Sequence, residues 1–215
     1  MIWRLLLMEP KESSTSNIDY LEKIESIKRI LDNNLPFPKT IFVFDYKKRE
    51  KEIEEFIKDR EYVMIRSDKR NTKLCPHYLK CPKNEAKNFI KKLNSEGYIA
   101  IVHDMSYIKN YDFNNEIAGN VLLLKNNFIV EIVKGGPVAK LNRFGEMDES
   151  IKISRQSLKQ IEHSGKRIID KKKLNKILKM VNHLPPYKIV EFAIGPDWLY
   201  FWQIRDDETS KKLEH

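Results

Sequence analysis

Cysteine, glycine and long apolar runs are all scarce in this chain. Two cysteines in 215 residues point to a reducing compartment, and the cytosol is the expected location. The most apolar run, MIWRLLLM at the N-terminus, is too short to span a bilayer and ends in Glu-Pro with no small-residue cleavage site. It reads as a strand or helical turn packed on the body, so no membrane partner is expected. Seven glycines occur in all, none of them between residues 68 and 83. No internal repeat is present, and the terminal Leu-Glu-His (213–215) reads as a purification-tag remnant.

What is present is a globular composition, 41% apolar and 10% aromatic, in a chain long enough to bury a real core. Forty Lys+Arg against 31 Asp+Glu leave a net charge of +9. That balance favours phosphate-bearing ligands or polyanions. The basic residues are mostly lysines scattered through Lys/Ile/Asn-rich sequence, so composition accounts for them better than a nucleic-acid partner does.

Apolar spacing outlines the elements. Ile18, Leu21, Ile24, Ile27 and Leu31 mark an amphipathic helix ending near Asn33-Asn34, broken by Leu35-Pro36-Phe37-Pro38. Strands are expected at 40–46 and 62–67, with a charged helix at 48–59 between them and an irregular segment at 68–83. A helix at 84–96 stops at Gly97, the usual position for a glycine past a helix end. Strands follow at 98–105, 117–125 and 128–134, then 138–144 and 150–154, and Asp170 caps a helix at 171–182. The pattern is α+β: a small N-terminal α/β subdomain over 1–95, then a mainly antiparallel sheet with helices over 96–210.

The last stretch, VEFAIGPDWLYFWQIRDDE (190–208), reads as a hairpin around Gly-Pro-Asp. A turn centred on Asp197 pairs Val190 with Ile204, Phe192 with Trp202 and Ile194 with Tyr200 on an apolar face. The opposite face carries Ile189/Arg205, Glu191/Gln203 and Ala193/Phe201. Glu191 and Gln203 then stand about 5 Å apart at Cβ, with Arg205 on the diagonal. Carboxylate and amide oxygens suit Mg²⁺, and Arg suits phosphate. By spacing alone, the same three residues also fit an ordinary solvated sheet face.

This hairpin resembles the closing motif of one ATP-grasp branch, the nucleotide-binding domain of phosphoenolpyruvate synthase, pyruvate phosphate dikinase and rifampicin phosphotransferase. The match runs through Ile189-Val190-Glu191-Phe192-Ala193 and Leu199-Tyr200-Phe201-Trp202-Gln203-Ile204-Arg205. Other segments resemble that family in the same order: Leu35-Pro36-Phe37-Pro38, Met64-Ile65-Arg66-Ser67, Ile101-Val102-His103-Asp104-Met105, Ala118-Gly119-Asn120-Val121-Leu122 and Phe128 to Asp148. The resemblance implies an ATP-grasp-like fold that binds ATP and Mg²⁺. It implies Glu191 and Gln203 as metal ligands, and Arg66 and Arg205 as catalytic groups on the phosphates. Lys23 is implied as a further nucleotide contact, and His103 as a group at the adenine edge. The implied reaction is phosphoryl transfer to a small molecule or a separate protein, driven by charge neutralisation rather than covalent chemistry by the protein.

Departures from the family motivate a second reading, a catalytically degenerate binding or scaffold protein. Ile189 stands where the family has an acid, and Pro137 or Val138 stands where it has a glutamate. The glycine-rich phosphate loop after Arg66-Ser67 is replaced by glycine-free sequence leading into Cys75-Pro76-His77. No swivelling phosphohistidine domain or pyruvate-binding barrel follows, so the full phosphoenolpyruvate-forming reaction is not expected of this chain alone. A basic nucleic-acid-binding protein ranks third. Cys75, His77 and Cys81 are too few and too irregularly spaced to argue for zinc.

Overall fold

The computed structural model describes residues 21–72, 75–105, 116–135, 141–142 and 145–213. The N-terminal apolar run, the polar segment 11–17, the helix start at Ile18 and the last two residues lie outside them. So does most of the strand expected at 138–144, of which Leu141 and Asn142 are helical.

The described residues divide into two units, one within Met1–Glu25 and Pro38–Lys109, the other within Ser26–Phe37 and Asn110–His215. The division expected at 95/96 falls ahead of β4 (Ile99–Asp104), which pairs with both β1 (Thr40–Val43) and β2 (Tyr62–Asp68) and so lies inside the first sheet.

In the first unit four strands stand in the order β1-β4-β2-β3, and every pair is antiparallel. Strand β3 (Tyr78–Pro82) corrects the expectation of irregular structure over 68–83. Two prolines mask it in the sequence, yet Cys81 is buried beside Val63. Pro82 falls at the strand's last residue and caps the next helix, where a missing N–H costs nothing. Helices α2 (Tyr46–Ile57) and α3 (Lys83–Ser95) bury Ile53, Phe56, Ile57, Ala86, Ile90 and Leu93 against Ile41, Val43, Val63, Ile65, Ala100 and Val102 of the sheet. By strand alternation the opposite face presents Thr40, Phe42, Met64, Arg66, Asp68, Ile101 and His103.

The second unit is a six-stranded antiparallel sheet, β10-β9-β5-β6-β7-β8. Its strands are β5 (Ile117–Leu123), β6 (Asn127–Lys134), β7 (Glu149–Ser154), β8 (Gln160–Gly165), β9 (Lys188–Ile194) and β10 (Leu199–Asp206). One face is mainly apolar and lies under helix α4 (Lys171–Val181), whose Leu174, Ile177, Leu178 and Val181 bury among Val121, Phe128, Val130, Val190, Phe192 and Phe201. Burying each such side chain is worth about 1.5–3 kcal/mol before entropy is counted. The expected Asp170 cap forms, its carboxylate accepting from Lys173 N at 2.9 Å. It offsets three lysines crowded at the helix's positive end. Ile30 of α1 (Glu22–Asp32) and Leu35 join the same core. A short helix, α5 (Glu208–Leu213), closes the chain.

Strand β8 left no apolar signal because its QIEHSG sequence is almost entirely exposed at the sheet edge. It nevertheless helps to secure a buried charge. Glu149, 2% exposed, accepts from Ile168 N and Ile169 N at 2.7 and 3.1 Å and meets His163 Nε2 at 3.0 Å.

Candidate functional site

The hairpin forms, with one change of register. Gln203 pairs with Glu191, Ile204 with Val190 and Arg205 with Ile189, as the sequence suggests. Nearer the turn the pairs are Phe201/Phe192, Tyr200/Ala193 and Leu199/Ile194, which corrects the expected Phe192/Trp202, Ile194/Tyr200 and Ala193/Phe201. A bulge between Phe201 and Gln203 leaves Trp202 as the extra residue. The turn is correspondingly tight, with Gly195 N donating to Trp198 O at 3.0 Å. A Cβ on Gly195 would fall 2.1 Å from the Trp198 ring, so the turn admits no larger residue as it stands. Trp198 and Trp202 pack against Ala118, Val133, Leu141 and Ala193, on the face opposite the helix-covered core.

That face carries a polar row. Strand pairing sets Gln203 beside Glu191, Glu191 beside Asn120, Asn120 beside Glu131 and Glu131 beside Ser150. Glu191 and Asn120 are only 6% and 4% exposed. Asn142 joins them: it accepts from Asn120 Nδ2 at 2.8 Å and donates to Glu191 Oε1, also at 2.8 Å. Arg205 Nε stands 3.8 Å from the same carboxylate oxygen. Burial raises the Glu131 carboxyl above its ordinary pKa. A solvated sheet face does not bury a carboxylate between an amide and a guanidinium. Asn120, Glu131 and Asn142 were missed by sequence reasoning, although an asparagine inside the apolar run Ala-Gly-Asn-Val-Leu-Leu was a visible signal.

The other residues singled out lie in the first unit. Arg66 is on β2, and His103 is on the same sheet face, close enough for the Arg66 charge to act on it. Lys23, in the first turn of α1, donates from Nζ to Ser67 O at 2.6 Å. Its backbone N–H and that of Ile24 donate to Asp68 Oδ2 at 2.8 and 3.2 Å. Lys23 is thus brought beside the Arg66-Ser67-Asp68 segment, and the buried Asp68 caps a helix 44 and 45 residues away in sequence. His103 is fully buried and bonded through Nδ1 to Thr40 Oγ1 at 2.8 Å.

Burial, aided by the Arg66 charge, holds the His103 pKa well below the ordinary 6.5. The unfolded chain therefore takes up a proton that the folded chain refuses. The resulting stability is complete above about pH 6.5 and is lost as pH falls below it. Unfolding by urea between pH 5 and 7.5 should show His103→Gln less pH-sensitive than the parent, by about 1 kcal/mol per pH unit below 6.5.

Among the described residues no cluster of three or more His, Cys, Asp or Glu is placed to hold a metal. Burial pushes the Cys81 thiol up to about 11, so it is protonated near neutral pH. The hard-oxygen set on the second unit combines carboxylates with side-chain amides, which suits Mg²⁺ rather than zinc.

Neither a family model nor a curated protein sequence matches the chain. Solved structures do. An N5-carboxyaminoimidazole ribonucleotide synthetase in its ADP complex superposes with a TM-score of 0.52 at 13% identity, over 89% of this chain and 46% of that one. D-alanyl-alanine synthetase A from Vibrio cholerae O1 biovar eltor gives 0.51 at 8% identity, over 88% and 55%. D-cycloserine synthetase gives 0.50 at 13% identity, over 91% and 65%. The chain thus spans between 46% and 65% of the length of these synthetases. What is shared at such identities is architecture, and with the helices and antiparallel sheets described above it makes this chain's fold α+β and ATP-grasp-like.

Proposed function

We propose that the chain binds ATP with Mg²⁺ and passes a phosphoryl group to a small molecule or a separate protein. One observation carries this reading: a buried carboxylate, Glu191, sits on the sheet face opposite the helix-covered core, between Asn142, Arg205 and the amide of Gln203. The likeness in fold to synthetases, one of them solved as its ADP complex, supports it. Glu191 and Gln203 would hold Mg²⁺, for their oxygens are hard donors and Glu191 is held in place by Asn142. The ion would offset charge on the phosphates during transfer. Arg205 would bind a phosphate oxygen through its planar fork of donors, a role lysine cannot copy. On the first unit, Arg66 and Lys23 are assigned to phosphate and His103 to the adenine edge, on the strength of the family resemblance. No helix among the described residues is long and apolar enough to cross a membrane. The two free thiols accord with the cytosol.

Calorimetric titration with ATP and Mg²⁺ tests this reading. One nucleotide should bind per chain, and no heat at millimolar ATP would end it.

A second reading has its own support. Ile189, opposite Arg205, supplies a hydrocarbon where the resembled family has an acid. On this reading the domain binds nucleotide without turnover. ATP hydrolysis or transfer that disappears in Glu191→Ala would exclude it.

A further inference from the structure

Asn120 and Glu131 have no part in the nucleotide reading. Asn120 is 96% buried, 4% exposed, in the middle of an apolar strand. Its Nδ2 is used by Asn142, but its Oδ1, on the other edge of the same amide, is buried with no hydrogen-bond partner. Leaving such an oxygen unserved is costly, and in native proteins a water, a ligand or an ion usually serves it. The residue directly across from Asn120 on β6 is Glu131, on the same face and half-buried. Cross-strand partners have Cβ atoms about 5 Å apart. A hard cation sits about 2.0–2.6 Å from each of its oxygens, so one ion can bridge this pair. On the far side of Asn120 stands the second carboxylate, Glu191, fixed by Asn142. The arrangement is a line of carboxylate, amide oxygen and carboxylate, with the Arg205 guanidinium at its Glu191 end.

We propose that Glu131 and Asn120 Oδ1 hold a divalent cation of the Mg²⁺ or Mn²⁺ class beside Glu191, at a position separate from the Glu191–Gln203 pair. The remaining coordination positions are filled by water, as Mg²⁺ prefers. The site is read from protein oxygens alone, so it does not rest on ATP binding.

The test is Mn²⁺ titration of the nucleotide-free protein, followed by electron paramagnetic resonance. One Mn²⁺ should bind at sub-millimolar concentration, and Glu131→Gln should weaken it at least tenfold. Asn120→Asp supplies a second measurement that does not depend on Glu131→Gln folding. A third carboxylate in the row should lower the melting temperature without metal, and Mn²⁺ should restore it and bind more tightly than to the parent. No sub-millimolar Mn²⁺ binding by the parent, or equal binding by Glu131→Gln, overturns the proposal. So does loss of Mn²⁺ in Glu191→Gln but not in Glu131→Gln, which would assign the ion to the Glu191–Gln203 pair. Mn²⁺ binding sensitive to Glu131 in a protein that ignores ATP would support this site while ending the nucleotide reading.

Discussion

Glu191→Gln should cut the affinity for ATP–Mg²⁺ about a hundredfold while leaving the fold intact. The substitution is isosteric at a side chain only 6% exposed, so it opens no cavity. Asn142 Nδ2 can still donate to the new amide oxygen. What disappears is the negative charge, which on the proposed reading is the principal attraction for the metal. A hundredfold loss corresponds to about 2.7 kcal/mol. The melting temperature should move little, because the Arg205 contact at 3.8 Å is long and Arg205 is over a third exposed. Glu162→Gln, an exposed glutamate on the far edge strand, serves as the control and should bind like the parent. Calorimetry of the three proteins decides the matter. Equal affinity in Glu191→Gln and the parent would remove Glu191 from any nucleotide site.

The largest stability effect is expected at the Arg60–Asp104 pair in the first unit. Their side chains are only 12% and 10% exposed and joined by an Arg60 Nη2 to Asp104 Oδ2 bond. The guanidinium also lies 4.4 Å above the Phe56 ring. Arg60→Met keeps the packing on Phe56 but takes the Arg60 guanidinium away from the buried Asp104 carboxylate. Breaking a buried pair from one side costs about 3–5 kcal/mol. At roughly 2–4 °C per kcal/mol for a protein of this size, the melting temperature should fall by about 6–20 °C. Adding Asp104→Asn to Arg60→Met should recover part of that loss, because it removes the buried charge that Arg60 had balanced. Thermal unfolding of the single and double variants checks both statements.

Much of this fold is legible in the chain because its apolar residues keep time with their elements. The 3.6-residue spacing of Leu174, Ile177, Leu178 and Val181 places α4, and Asp170 marks its start, within a residue of the structure. The alternation through Phe128, Val130 and Ile132 does the same for β6. Legibility fails where another force sets the conformation. Strand β8 is held by edge pairing and polar side-chain contacts rather than by burial, so its sequence carries no burial pattern. Strand β3 is hidden by prolines that the edge tolerates. In the candidate site, Glu191, Gln203 and Arg205 stood out because they break an apolar hairpin. Asn120, Glu131 and Asn142 reach the same row from two other strands and a helical turn, and linear spacing cannot report that distance. Asp68 was likewise unreadable as a helix cap, since caps are sought next to the helix they serve.

The bulge at Trp202 has a consequence for the site as a whole. The tight turn by itself would set Trp202 opposite Glu191, and every later residue of β10 would change sides. Gln203 and Arg205 would then point into the hydrocarbon interior, and Ile204 would point out. One supernumerary residue reverses the phase of the strand halfway along, so that its first half answers to the core and its second half to the ligand face. The chemistry proposed for this hairpin therefore depends on a place where the sheet's rhythm skips a beat. Deleting that single residue would dismantle the ligand face while leaving Glu191, Gln203 and Arg205 in the chain.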